Sequence, residues 1–332
     1  MTSRFDHIRA FVAEELARRD AAPPGVLAPS DYWKDYNRFS SYIRTLPDEE
    51  LEHIRYHTWH LTGDKYTFYH FISARGTREL LEDYESRLPQ LDGFRPHEPP
   101  GGFGADTQYG KLNSGILRYA VVLADLHSAG FVPRKGTRRV LELGGGYGGL
   151  ALMMLQFNPE LAYTMFDLEE SMFVQAVFLT LHLGRERVHL VRDAAALADP
   201  LPGHVYLLPQ NRADELTRLR FDLAVNQQSM QEMTTAQVDR YCEILGHCAE
   251  HFYSCNRRSH GAGVVQQKGL VADLHDHLAR RFKVVWDSTE HVSPLARAAL
   301  RRKVVRKLVT PFIGKGFLPK GEALLRRFVY KT

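Results

Sequence analysis

Five glycines stand close together in the stretch "VLELGGGYGGLA", residues 140–151, between an apolar run and a segment with helical spacing. Glycine loses much conformational entropy on folding, so such a cluster indicates a backbone that must turn sharply or lie against a bound molecule. Gly144, Gly146 and Gly149 satisfy the spacing G-x-G-x-x-G, the dinucleotide fingerprint, which is a weak signal alone. A turn without a ligand needs only one or two glycines, so we expect a binding turn.

Two acidic residues accompany the glycines. Glu142 lies two residues before Gly144, and Asp167 ends the next apolar run, 18 residues beyond Gly149. A carboxylate at that second strand end can accept hydrogen bonds from both hydroxyls of an adenosine ribose. Two cofactors fit: a nicotinamide dinucleotide, whose pyrophosphate a helix N-terminus would hold, and S-adenosylmethionine, whose amino-acid part would lie over the turn.

The elements around these residues are predicted from hydrophobic spacing. From Arg139 onward, short apolar runs alternate with helical segments, which predicts an α/β fold with a mostly parallel sheet and helices on both faces. The runs are VLEL, YTMF, VHLV, VYLL, FDLAVN, HFYSCN, FKVVW and RRFVYK. The glycine cluster follows the first run, at the edge where open parallel sheets bind ligands.

The first part of the chain has a helical pattern. Residues 1–20 predict an amphipathic helix, and residues 31–90 are mostly helical in pattern and rich in aromatic side chains. After a loop ("PHEPPGGFG"), "YGKLNSGILRYAVVLADLHSAGF" predicts a helix that Gly130 ends. We therefore predict a helical N-terminal cap that shapes the substrate pocket, residues 1–135, and a cofactor-binding domain, residues 136–332.

Several motifs resemble those of class I S-adenosylmethionine-dependent methyltransferases. "VLELGGGYGGLA" resembles their first motif, in which acid-x-Gly-x-Gly-x-Gly follows the first strand. "YTMFDLEESM" and "FDLAVNQQSMQEM" resemble the second-strand and fourth-strand motifs of a sugar O-methyltransferase family, and "GKLNSGILRY" fits its helical lead-in. The resemblance covers about residues 100–260 and implies a Rossmann-like sheet of seven strands with an antiparallel last strand.

The resemblance also implies which residues hold the cofactor. The glycine turn would face the methionine part of the cofactor, and Glu142 would be oriented toward its ammonium group. Asp167 would bind the ribose, and Leu168 would pack on the adenine. With polar residues at strand ends, the expected set is Glu142, Gly144, Gly146, Tyr147, Gly148, Asp167, Leu168, Gln210, Asn211, Asn226 and Gln227.

The adenine edge has two possible contacts, because two runs could form the third strand. If "VHLV" is that strand, Asp193 contacts the adenine edge; if "VYLLPQN" is, Gln210 or Asn211 does. We favour the second, since the family has a similar strand just before its "FDL" motif.

An alcohol is a poor nucleophile at neutral pH, so a general base is worth roughly 10²–10⁴-fold in rate. Glu232 is ten residues beyond Asp222 and should lie near the acceptor, at the C-terminal ends of the fourth and fifth strands. Plant-type O-methyltransferases place a His-Asp pair at about this offset, whereas this chain has Gln231 and Glu232, so Glu232 could instead cap the next helix or bind acceptor hydroxyls. His260 and His291 are the other catalytic candidates.

The acceptor pocket should combine aromatic faces with polar edges, as carbohydrate sites commonly do. The candidate substrate residues are Tyr66, Tyr69, His70, Tyr109, Asn256 and Arg257. An aromatic stripe at helical spacing is more often core than binding site, so packing is the alternative for the tyrosines.

The net charge of +4 hides a basic C-terminal segment. Residues 297–331 hold eleven Lys or Arg and one acid, a charge of +10, which leaves −6 for residues 1–296. Such a segment is usually a solvated surface. The sharper alternative is that Arg301, Arg302 and their basic neighbours meet phosphate, of a nucleotide-linked sugar or of an anionic lipid surface.

Other features bound the class of protein. The three cysteines have spacings of six and seven, which fit neither a disulfide framework nor a zinc site and predict reduced thiols in a cytoplasmic protein. No apolar run is long enough for a membrane span. "DLHDH", residues 273–277, has metal-ligand residue types, but two-residue spacing on a helix separates its histidines, so we expect solvated helix and no metal.

These patterns predict a cytoplasmic S-adenosylmethionine-dependent O-methyltransferase that acts on a sugar hydroxyl of a glycan, a nucleotide sugar or a glycosylated natural product. No nucleic acid is expected, and a homo-oligomer is left open. One alternative is a nicotinamide-dependent sugar oxidoreductase, which would want a Tyr-x-x-x-Lys pair that is not found after Gly149. Another is a non-catalytic nucleic-acid-binding module that uses the basic segment and binds with a steep salt dependence.

Overall fold

The computed structural model describes residues 3–58, 81–82, 84–257, 270–271, 273–287 and 325–332, which form a mixed sheet with helices packed on it. The strands are β1 (Ala105–Thr107), β2 (Gly110–Leu112), β3 (Arg139–Leu143), β4 (Ala162–Asp167), β5 (Val188–Leu190), β6 (Val205–Pro209), β7 (Phe221–Gln227), β8 (Ala249–Arg257), β9 (Lys283–Asp287) and β10 (Leu325–Lys331). The α-helices with described bounds are α1 (Asp6–Ala21), α2 (Asp31–Ser40), α3 (Asp48–Leu51), α4 (Ser114–Ser128), α5 (Gly149–Phe157), α6 (Glu169–Leu183), α7 (Thr235–Cys248) and α8 (Leu274–Ala279).

Eight strands form the large sheet, in the order β5-β6-β4-β3-β7-β8-β10-β9. The strands from β5 to β8 in that order are parallel to their neighbours, and β10 is antiparallel to both β8 and β9. The prediction of a Rossmann-like, mostly parallel α/β sheet with an antiparallel last strand is confirmed. Among the described residues the sheet has one strand more than the expected seven, because both candidate third strands form. β6 pairs with β4, as favoured, and β5 adds at the edge.

Side chains of the central strands alternate between two hydrophobic clusters, one on each face of the sheet. Val140 and Met165 belong to the cluster that includes residues of α1, α4, α5 and α6, whereas Leu141 and Phe166 belong to the cluster that includes residues of α7 and α8. Strands that are buried on both faces have continuous apolar sequences. All eight apolar runs of the sequence are strands; β4 and β6 are buried throughout, whereas the edge strands β5 and β9 are partly exposed.

The sheet changes direction at β3, which positions the site. The chain passes from β3 to β4 on one side, and only later returns to place β7 on the other side of β3. The connections that follow β3 and β7 therefore diverge and leave a crevice at the carboxyl ends of these strands, where open α/β sheets bind ligands.

The N-terminal part packs onto the helices of the sheet. Phe5, Ile8 and Phe11 are buried in the same cluster as the sheet residues, and α1 contacts α6. This contact does not test the predicted boundary between residues 135 and 136, which stays a prediction.

The predicted helix over "YGKLNSGILRY…" is wrong at its start, because β1 and β2 form a hairpin there. The helix α4 begins only after Asn113, whose side-chain oxygen accepts a hydrogen bond from the Ile116 N–H at 2.9 Å and caps the helix. Its end is confirmed, since Gly130 has a φ of 80°, the left-handed conformation that closes helices.

The described residues also bear on the predictions about cysteines, membrane spans and metal sites. Cys242, Cys248 and Cys255 are free and buried. No helix in the described parts of the chain is long and apolar enough to cross a membrane, and no three metal-ligating side chains cluster there. The expectation that residues 273–277 are solvated is wrong for His275, whose ring stacks on Phe328 at 3.8 Å between centroids.

Candidate functional site

The glycine turn between β3 and α5 has left-handed backbone at three positions. The φ angles of Gly144, Gly146 and Gly148 are 69°, 59° and 94°. At Gly144 the conformation and the space both require glycine, because a Cβ atom would lie 2.3 Å from the Ser229 Oγ. Gly145 has ordinary φ, but its Cβ would lie 2.3 Å from the Met165 Cε. The cluster therefore turns the chain sharply and brings its backbone against β4 and the loop after β7.

A pocket opens over this turn at the carboxyl ends of β3 and β7. Its walls come from α4, from β3 and the turn, and from the end of β7. The lining residues are Arg118, Tyr119, Glu142, Gly144, Gly145, Gly146, Gln227 and Gln228. Of these residues, Glu142, Gly144, Gly146 and Gln227 were predicted from the sequence, whereas Arg118, Tyr119, Gly145 and Gln228 were not. The doublet Gln227-Gln228 after an apolar strand was a local signal for Gln228, whereas Arg118 and Tyr119 gave none.

Glu142 is a buried carboxylate on the pocket wall. Its side chain is 2% exposed and accepts a hydrogen bond from the Tyr163 hydroxyl at 3.0 Å. Burial raises the pKa of Glu142 to about 8, the Tyr163 hydrogen bond lowers it in part, and the charge of Asp167 raises it further. Among the described residues no basic side chain forms an ion pair with Glu142. Its ionised form would be stabilised by a positively charged ligand group in the pocket.

Asp167 ends β4 next to the turn and is also buried. Its oxygens accept hydrogen bonds from the Leu168 N–H at 2.7 Å and from the Gln175 Nε2 at 2.6 Å. Burial raises the pKa of Asp167 to about 7, although these hydrogen bonds favour the ionised form. The acid is thereby held in one orientation at the carboxyl end of its strand, and Leu168 beside it is 7% exposed.

Tyr147, at the apex of the glycine turn, is directed into the protein. Its ring is fully buried, with the Arg55 guanidinium carbon 3.8 Å from the ring centroid. Arg55 is itself buried and donates to the Glu98 carboxylate at 2.6 Å. The turn therefore packs against the N-terminal part of the chain. Because the Tyr147 ring is buried, Tyr147 could contact a ligand only through its backbone.

The two residues predicted for the adenine edge follow β6, the strand beside β4. Gln210 donates a hydrogen bond to the Tyr241 hydroxyl at 2.8 Å. Asn211 instead donates its amide to the backbone and carboxylate oxygens of Glu15 in α1, each at 3.1 Å. Of the two, Gln210 leaves its amide oxygen for a ligand, and Asn211 holds α1.

Asn226 and Asn256 form a buried network below the pocket. Asn226 donates to the Leu143 carbonyl at 2.8 Å, and Asn256 donates to the Asn226 Oδ1 at 2.9 Å. These bonds connect the carboxyl ends of β3, β7 and β8, so both side chains support the structure around the pocket. Of the predicted residues Asn226, Gln227 and Asn256, Gln227 lines the pocket.

Glu232, the predicted base, lies in a short 3₁₀ turn after β7, Met230–Glu232. It is half-buried, and its N–H donates to the Ser229 carbonyl at 3.0 Å. The structure thus has Glu232 beyond the carboxyl end of β7, the strand of the "FDLAVN" run, as the sequence predicted; its role as a base stays a prediction.

Other predicted residues are not brought to this pocket. Tyr109 joins β1 to β2, donates to the Glu85 carboxylate at 3.0 Å, and lines a separate groove with Glu85, Phe94 and Arg95. The remaining predictions fall outside what the structure describes. These are Tyr66, Tyr69, His70, His260, His291, the side chain of Arg257 and the basic residues 297–307.

Comparisons with known proteins give a weak likeness of fold. No family model and no curated protein matches the chain. It is similar to a protein of Thermoplasma acidophilum, with 11% identity over 75% of this chain and 97% of that one and a TM-score of 0.39. It is similar to phosphoethanolamine N-methyltransferase 2 of Haemonchus contortus in complex with S-adenosyl-L-methionine, with 15% identity, 75% and 56% coverage and a TM-score of 0.37. It is also similar to an O-methyltransferase family protein of Burkholderia thailandensis, with 10% identity, 58% and 50% coverage and a TM-score of 0.36. The chain spans about half the length of the last two proteins. At these values the likeness carries no argument about activity.

Proposed function

We propose that the chain is an S-adenosylmethionine-dependent O-methyltransferase that acts on a sugar hydroxyl. The observation that carries the proposal is the buried carboxylate of Glu142 on the wall of a pocket over a left-handed glycine turn. A buried carboxylate without a cationic partner is costly, and a cationic ligand group offsets that cost. S-adenosylmethionine has both an ammonium and a sulfonium cation. A nicotinamide dinucleotide would bring a negatively charged pyrophosphate against Glu142.

We assign a residue to each part of the cofactor as part of this proposal. Glu142 would hold the ammonium and Arg118 the carboxylate of its amino-acid end, with the glycine turn below. Asp167, already oriented by two hydrogen bonds, would accept the ribose hydroxyls. Leu168 would pack on the adenine, and Gln210 would meet its edge.

The bound cofactor would supply an activated methyl group, and the chain would supply alignment and a proton acceptor. Gln227 and Gln228 line the pocket, and Glu232 follows Gln228 by four residues in the chain. A half-buried carboxylate at this strand end would be suited to accept the hydroxyl proton of the methyl acceptor.

The choice of a sugar hydroxyl as acceptor rests on the "FDLAVNQQSMQEM" resemblance and on Gln227, an amide-bearing residue of the pocket lining. Amides recognise neutral hydroxyl groups because they both donate and accept hydrogen bonds. Mass spectrometry of candidate sugars, incubated with the protein and cofactor, would identify the acceptor. The basic residues 297–307 stay a predicted phosphate contact, and a cytoplasmic location stays a prediction.

Calorimetry of cofactor binding tests the proposal. We expect the protein to bind S-adenosylmethionine or its demethylated product, S-adenosylhomocysteine, in the micromolar range and to bind NAD far more weakly. Asp167→Ala should weaken this binding roughly tenfold or more, since each hydrogen bond to a charged group is worth about 1.5–3 kcal/mol.

Asp193→Ala is the matched control for that experiment. Asp193 is the acid of the disfavoured register, is exposed, and caps a 3₁₀ turn through the Ala195 N–H. We expect it to leave cofactor affinity unchanged. Tight NAD binding without S-adenosylmethionine binding would instead support the oxidoreductase, and salt-sensitive binding of RNA or DNA alone would support the nucleic-acid module.

A further inference from the structure

Gln228 stands out because it has left-handed backbone although it is not a glycine. Its φ is 60°, and among the described residues only Asp92 shares this property. The left-handed region brings Cβ too close to the neighbouring carbonyl, so a non-glycine residue there is strained. Such strain is concentrated at functional sites, where the surrounding structure enforces it.

The surrounding contacts explain why the backbone turns here. The Gln228 N–H donates to the Cys255 carbonyl at 2.9 Å, just beyond the last pairing of β7 with β8. The turn then directs Ser229 back toward β3, where its hydroxyl contacts the Leu143 carbonyl at 3.2 Å and lies against Gly144. The turn thus supports the glycine loop from below.

These contacts require the backbone conformation, but they do not require a glutamine. Glycine would adopt the same φ without strain. The other strained residue, Asp92, uses its side chain to bind His127 at 2.9 Å. Gln228 lines the pocket over the glycine turn, and its side chain makes no hydrogen bond within the part of the chain that the structure describes.

This pocket has one acidic and one basic residue on its wall, Glu142 and Arg118. An α-amino acid in its zwitterionic form presents the complementary pair, an ammonium and a carboxylate. A neutral amide between them can donate to the carboxylate or accept from the ammonium.

From these observations we infer that Gln228 is a ligand-binding residue whose amide hydrogen-bonds the α-amino-acid end of the cofactor, and that its strained backbone fixes the amide in that orientation. The inference rests on the proposed function. Gln228 would then act together with the glycine turn to distinguish ligands that have the amino-acid end from ligands that lack it.

Two ligands isolate that end of the cofactor. S-adenosylhomocysteine has the amino-acid end, and 5′-methylthioadenosine lacks it while it keeps the adenosine and the sulfur. In calorimetry, Gln228→Gly should weaken S-adenosylhomocysteine binding roughly tenfold, the equivalent of one hydrogen bond of about 1.4 kcal/mol. Binding of 5′-methylthioadenosine should stay within about twofold of wild type, and the melting temperature should be equal or higher because the strain is relieved.

Two more variants separate the amide from the turn. Gln228→Met keeps the length of the side chain without its hydrogen bonds and should lose the same factor for S-adenosylhomocysteine. Asp92→Gly relieves left-handed strain outside the pocket and should change neither affinity.

Three results would overturn the inference. Unchanged S-adenosylhomocysteine affinity in Gln228→Gly, with or without loss of turnover, would show that the amide does not bind the amino-acid end. An equal loss for both ligands would show that the variant acts through the shape of the turn. If the wild-type protein bound neither ligand, the proposed cofactor itself would be wrong, and that outcome is distinct from a failure of Gln228 alone.

Discussion

At the scale of single residues, the pocket depends on carboxylates that are buried before any ligand binds. Glu142 and Asp167 have pKa values raised to about 8 and about 7, in both cases chiefly by burial. Each accepts a hydrogen bond from a neighbouring side chain, from Tyr163 of β4 for Glu142 and from Gln175 of α6 for Asp167. The protein thus keeps both acids oriented at a cost in stability, which a cationic ligand at the proposed site would offset for Glu142.

That cost predicts how stability depends on pH. The pKa of Glu142 rises from an ordinary 4.5 in the unfolded chain to about 8 in the folded one, so the folded state binds more protons between these values. The contribution of Glu142 to the free energy of unfolding should then fall as the pH rises from about 4.5 to about 8, by up to about 1.4 kcal/mol per pH unit.

The measurement is urea unfolding of the ligand-free protein at a series of pH values. Glu142→Gln keeps an acceptor for the Tyr163 hydroxyl but cannot titrate, so its curve should be flatter than that of the wild type over this range. Parallel curves for the two proteins would contradict the raised pKa.

Glu232 gives the second prediction at this scale. Glu232→Gln keeps the size of the side chain and its hydrogen bonding but cannot accept a proton. We expect turnover to fall about 10²-fold or more while S-adenosylmethionine affinity stays near normal. Steady-state kinetics with an identified acceptor, together with calorimetry, measures both quantities. A variant that retained most of its turnover would show that Glu232 orients the acceptor or caps its helix, and His260 and His291 would be tested next.

At the scale of elements, the glycine turn packs against a buried ion pair of the N-terminal segment, Arg55 and Glu98. Arg55 and Glu98 are 2% and 3% exposed, and Asn113 donates to the second Glu98 oxygen at 2.6 Å. The Arg55 guanidinium also covers the Tyr147 ring of the turn. The conformation of the turn therefore depends on elements far from it in sequence.

Removal of Arg55 should be strongly destabilising. Arg55→Ala leaves the Glu98 carboxylate buried without its cation, which typically costs about 3–5 kcal/mol. Adding Glu98→Gln should recover part of the loss, because the uncompensated charge is removed. Arg95→Ala is the control, since Arg95 is exposed in the same region and should change the free energy of unfolding by less than about 0.5 kcal/mol. Urea unfolding measures all four proteins; a small effect of Arg55→Ala would contradict the role of the pair.

At the scale of the whole molecule, the N-terminal helix and the sheet share one hydrophobic cluster. Residues of α1 lie in the same cluster as residues of β3, β4 and α6, and Glu15 of α1 is paired with Arg212 after β6 at 3.0 Å. Because α1 packs in this way, we do not expect it to unfold separately from the sheet.

We therefore predict a single transition in scanning calorimetry. S-adenosylhomocysteine should raise its midpoint temperature, because ligand at 100 times the dissociation constant adds about 2.7 kcal/mol to the free energy of unfolding. Ile8→Ala should lower the midpoint of the whole transition through a cavity costing about 2–5 kcal/mol, whereas Val26→Ala, at an exposed site, should not. Two transitions, of which only one responds to the ligand, would contradict this coupling.

The sequence by itself determined the features that depend on neighbouring residues along the chain. Buried parallel strands such as β4 and β6 have mainly apolar sequences, and within the described residues each strand of the large sheet coincides with one of the runs from "VLEL" to "RRFVYK". The glycines of the turn were recognisable because left-handed φ and close backbone approach both exclude side chains. The place of Glu232 after β7 followed from the same local order.

Only the tertiary structure decided which side chains face the pocket. Asn211 and Asn256 have the residue types of ligand-binding groups, but they are bonded to Glu15 and Asn226, partners that no local pattern reveals. Arg118 came to the pocket wall through the packing of α4, and Gln228 through pairing of β7 with β8. The physical reason is that a polar side chain binds whichever partner the folded chain brings within hydrogen-bonding distance, and that partner is set by contacts between residues distant in sequence.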